Sequence, residues 1–88
     1  MRDIDLVIAA LRRRHSDIRV EQRPGAYAAV DEGIWFINLP PAETEVQLES
    51  STGNCPFMVE SSANPERLSA ATIGETINMV SAMLGNQT

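Results

Sequence analysis

Apolar and polar residues change their spacing along this chain in a way that separates two helices from a central block of strands. Ile4, Val7, Ile8 and Leu11 recur at i, i+3, i+4 and i+7, the stripe that one face of an α-helix presents. This spacing predicts a helix over 4–14. Asp3 stands where a carboxylate can accept bonds from the first free amides. Arg12, Arg13, Arg14 and His15 follow at the other end, where positive charge meets the negative end of the helix dipole. From residue 18 the period falls to two. Ile18-Arg19-Val20-Glu21-Gln22-Arg23 alternates as a half-buried strand does, and Pro24-Gly25 ends it. Residues 26–30 are small and weakly patterned, a short strand or an irregular edge. Asp31-Glu32-Gly33 is turn chemistry, since glycine can take positive φ.

Ile34-Trp35-Phe36-Ile37-Asn38-Leu39 is the most strongly strand-like segment, and Pro40-Pro41, which cannot donate to a ladder, stops it. Glu45-Val46-Gln47-Leu48-Glu49 alternates without a fault. Residues 51–54 then read as a hairpin loop and 57–60 as the returning strand. Asn64-Pro65 offers the start of a helical turn, with proline at its first position. Thr72 and Glu75 fit a capping box. Ile73, Ile77, Val80 and Leu84 carry the helical stripe, and Gly85 suits the position just past the end, so the last helix is expected over 73–84. Met79 and Met83 flank that stripe and are read as part of the core face.

These elements predict one α+β domain over residues 1–88: an antiparallel sheet of three to five strands with the N-terminal and C-terminal helices packed on one face, in the order α-β-β-β(-β)-α. The double-stranded-RNA-binding domain has the same coarse order. Such domains open their second helix with lysine-rich phosphate contacts, however, and here the region reads Arg67-Leu68-Ser69-Ala70-Ala71-Thr72. Charge points the same way. The net charge is −5, and all seven basic residues are arginines. Affinity for nucleic acid depends on neutralising phosphates with spread basic charge, so no nucleic-acid partner is expected. An acidic field instead favours encounter with a basic partner.

One cysteine, Cys55, excludes an intrachain disulfide and favours a reducing compartment. The apolar start over 4–11 is interrupted by Asp5, precedes its arginines and falls well short of the ~20 apolar residues that span a bilayer. A cytoplasmic protein with no membrane association is the expectation.

Candidate chemistry is sparse. As a nucleophile Cys55 would need a base, and the only histidine is His15 at the far end of the first helix. One cysteine and one histidine cannot close a zinc site, and no carboxylates show calcium-loop spacing. Gly53 and Gly74 are isolated, without a phosphate-cradling motif. Glu43, Glu45 and Glu49 form an acidic stripe with Glu60 beside it. Two of them could serve a hydrolase given suitable separation and unequal pKa values, but alternate acids on an antiparallel strand ordinarily mark its solvated face. No catalytic residue, metal or cofactor is assigned.

One feature asks for more. The strand over 34–39 is apolar on both faces, with Ile34 and Phe36 pointing one way and Trp35, Ile37 and Leu39 the other. Two helices on one sheet leave the other sheet face open, so this strand places large side chains there among charged neighbours. Trp35, Phe36, Ile37, Glu45, Glu49, Arg19 and Arg23 are therefore the expected partner-binding set. A homodimer through the same face is an alternative, as is cover by residues 26–39 of the chain itself. The function expected is non-catalytic binding of a basic protein partner, as in small acidic immunity proteins and inhibitors. The alternatives are a dimeric chaperone or adaptor for a secreted or basic client, or a small enzyme using Cys55, His15 or the glutamates.

Overall fold

The computed structural model describes residues 2–22 and 33–85. A helix, α1 (Asp3–Arg14), leads into strands β1 (Arg19–Gln22), β2 (Ile34–Asn38), β3 (Glu45–Glu49), β4 (Phe57–Ser61) and β5 (Asn64–Ala70), and α2 (Ile73–Gly85) closes the order. The sheet is a meander, β1-β2-β3-β4-β5, every pair antiparallel. The α+β class and the helix–strands–helix order are those the periodicities predict, at the upper end of the expected strand count. Arg23, residues 26–30, Asp31 and Glu32 lie outside the described residues.

Both helices lie on one sheet face. Ile4, Val7 and Leu11 of α1 and Val80 and Leu84 of α2 meet Trp35, Ile37, Val46, Leu48, Phe57, Val59 and Ala70 in one buried cluster. Burying each of the larger aliphatic side chains contributes roughly 1.5–3 kcal/mol. Met79 and Met83 pack partly buried against this cluster. Thr76 is the one polar residue driven to full burial in α2, and its Oγ1–H donates to the Thr72 carbonyl at 2.8 Å, which removes the cost of an unpaired hydroxyl. Arg14 ties the helices at the surface by donating to Asn78 Oδ1 at 3.2 Å.

Three local expectations are corrected. Asn64 and Pro65 open no helical turn; they begin β5. Proline is tolerated there because β5 is an edge strand, and a register shift between Val59 and Ser61 absorbs the irregularity. Asp3 is the first helical residue of α1 and Arg2 holds the N-cap position. Arginine has no side-chain acceptor, so the first turn is satisfied from elsewhere. Asp3 N–H donates to Asn54 Oδ1 at 2.9 Å and Ile4 N–H to the Gly53 carbonyl at 2.8 Å, both from the β3–β4 loop. Gly33 meets its demand for glycine by close approach: a Cβ there would stand 2.5 Å from the Ser50 carbonyl oxygen. At α2 the Thr72 half of the expected capping box forms, with Glu75 N–H donating to Thr72 Oγ1 at 3.1 Å, while the Glu75 carboxylate accepts from Ala71 N–H at 3.2 Å, one residue before the amide a capping box uses.

Candidate protein-binding face

Pairing register decides which side chains share the sheet face opposite the helices. Trp35 stands across from Leu48 and Ile37 across from Val46, so the alternation of β2 is locked to the core phase of β3. Trp35 is 4% exposed and Ile37 is fully buried. Neither can present surface to a partner, which corrects their place in the expected binding set. Leu39, just past the strand, also packs against the core.

Ile34, Phe36 and Asn38 therefore point to the opposite side, where three cross-strand rows form. The central row runs Glu21, Phe36, Gln47, Glu60 across β1 to β4. On one side of it lies Arg19, Asn38, Glu45, and on the other Ile34, Glu49, Met58, Ser69. Adjacent strands are about 4.8 Å apart, so the Phe36 ring has Glu21 on one neighbouring strand, and Gln47 flanked by Glu45 and Glu49 on the other. Phe36, Ile34 and Met58 are half-buried, and no helix of the described residues packs on this side. Glu49 accepts a bond from Arg67 of β5 at 2.6 Å. Both partners are about half exposed, so the pair contributes well under ~1 kcal/mol and serves mainly to fix the rim.

Beside Phe36 the face is hollowed into a groove of about 310 Å³ lined by Phe36, Glu45, Gln47, Glu60, Ser61 and Ser62. One end is closed by a reciprocal pair, Glu45 N–H to Ser62 Oγ at 2.9 Å and Ser62 N–H to the Glu45 carbonyl at 2.8 Å. Of the expected set, Phe36, Glu45, Glu49 and Arg19 thus share this face. Glu21 and Gln47 share it by the period-two alternation of their own strands, and Met58 and Glu60 join them through the β3–β4 register.

The other candidate chemistry comes apart in space. Cys55 N–H donates to Asp3 Oδ2 at 2.9 Å, which puts the thiol at the N-terminal end of α1, whereas His15 follows its C-terminal end. Twelve residues at 1.5 Å rise separate them by about 18 Å, so they form no dyad. Partial burial, then the hydrogen bond and negative charge of Asp3, push the Cys55 thiol above its ordinary pKa, the reverse of nucleophile activation. His15 Nε2 is buried without a hydrogen-bond partner among the described residues. Glu43 lies exposed in the β2–β3 connection, off the strand. Glu45 and Glu49 are four residues apart along β3, about 13 Å along the backbone, and Glu60 stands across from Gln47 between them on the adjacent strand. Among the described residues, no three His, Cys, Asp or Glu are grouped to hold a metal ion, and no helix is long and apolar enough to cross a membrane.

The described structure is thus an α+β meander with one face given to its core and the other to an aromatic centre among carboxylates. Comparison with protein-family models, with curated proteins and with solved structures gives no match to this chain.

Proposed function

We propose that this protein is a non-catalytic binding module, of the immunity or inhibitor kind, that holds a basic protein partner against the sheet face opposite its helices. The observation that carries the reading is Phe36 at the middle of the cross-strand rows, with Glu21, Glu45, Glu49 and Glu60 arranged around it. An aromatic centre inside a charged rim is the anatomy of a protein interface, in which the centre supplies affinity and the rim supplies selection. Against those carboxylates the face sets, among the described residues, Arg19 and Arg67, the latter engaged by Glu49. The local sign agrees with the net charge of −5, so the field steers a basic partner toward this side. A second copy docked through the same face would oppose like charges, which favours a different, basic protein over a homodimer. A single unpaired thiol is compatible with a cytoplasmic setting.

Photo-crosslinking tests this, with the crosslinker at position 36 and, as a control, at position 13 on the exposed side of α1. We expect a basic protein to be trapped from position 36 and not from 13. Its complex with the purified chain should weaken at least tenfold when Glu45→Gln, Glu49→Gln and Glu60→Gln are combined, and weaken further as salt rises. Trapping from position 13 instead, or a complex indifferent to the triple substitution, would sink the proposal.

A further inference from the structure

We draw no further inference here: the strongest candidate, the cavity of about 360 Å³ beside Cys55, Pro56 and Met58 at the β3–β4 loop, offers only a lone thiol near the N-terminal end of α1, and nothing among the described residues points to a ligand there.

Discussion

Trp35 and Phe36 are adjacent in sequence and both aromatic, yet alanine at the two positions should have very different consequences. Trp35 is 4% exposed and packs inside the cluster under both helices, with the Arg2 guanidinium 5.9 Å from its ring centroid on the outer side. Truncating a buried tryptophan costs about 3–5 kcal/mol, the sum of lost transfer energy and the cavity left behind. Domains of this length are stable by only roughly 4–13 kcal/mol in total, so Trp35→Ala takes away a large share. At about 4–8 °C per kcal/mol for a domain this small, Tm should fall by more than ~12 °C. Phe36 is half-buried on the other face. Its truncation removes about half of a full phenylalanine burial, on the order of 1 kcal/mol, and opens no internal cavity. Far-UV circular dichroism during urea and heat unfolding is the suitable assay, because Trp35 is the only tryptophan and its removal abolishes the usual fluorescence signal. The expected order is wild type, then Phe36→Ala slightly lower, then Trp35→Ala far lower, with equal slopes in urea. If Phe36→Ala unfolds the chain as readily as Trp35→Ala, Phe36 is a core residue and the binding face described above does not exist.

Two further outcomes check other parts of the structure. Gly33→Ala would push a Cβ to 2.5 Å from the Ser50 carbonyl oxygen and 3.2 Å from Ser51 Cα, both backbone atoms. It should destabilise by about 1–3 kcal/mol, and it should speed hydrogen exchange at the Ser50 amide, which donates to the Gly33 carbonyl at 2.8 Å. A neutral Gly33→Ala would mean that β2 and the β3–β4 loop do not approach so closely. The Cys55 thiol, raised by partial burial and then by Asp3, should alkylate in the native chain with a midpoint at higher pH than in the urea-unfolded chain. Because the folded pKa exceeds the unfolded one, its stabilising contribution is complete below the unfolded thiol's pKa and is lost as pH rises through the folded value. Asp3→Asn should move the native midpoint down and flatten that alkaline loss; a native thiol that reacts at lower pH than the unfolded one would refute the assignment.

Local pattern alone was enough for the two helices and four of the strands. A stripe such as Ile4, Val7, Ile8, Leu11, or an alternation such as Glu45 to Glu49, reports how one segment faces one core, and that information lies within a few residues. It failed for β5, where Pro65, Glu66 and Arg67 break any alternation beside the register shift and leave nothing periodic to read. It also failed at the start of α1, whose first amides are satisfied by Gly53 and Asn54, some fifty residues away along the chain. The candidate site divides in the same way. That Phe36, Glu45 and Glu49 belong to strands with a wet or ambiguous face was legible in the sequence. Which of Trp35 and Phe36 turned inward was not, because a strand apolar on both sides carries no phase of its own. Trp35 acquired its phase from Leu48, and Ile37 from Val46, through the register of the β2–β3 pair, and the same register carried Phe36, Gln47 and Glu60 into one row on the outer face.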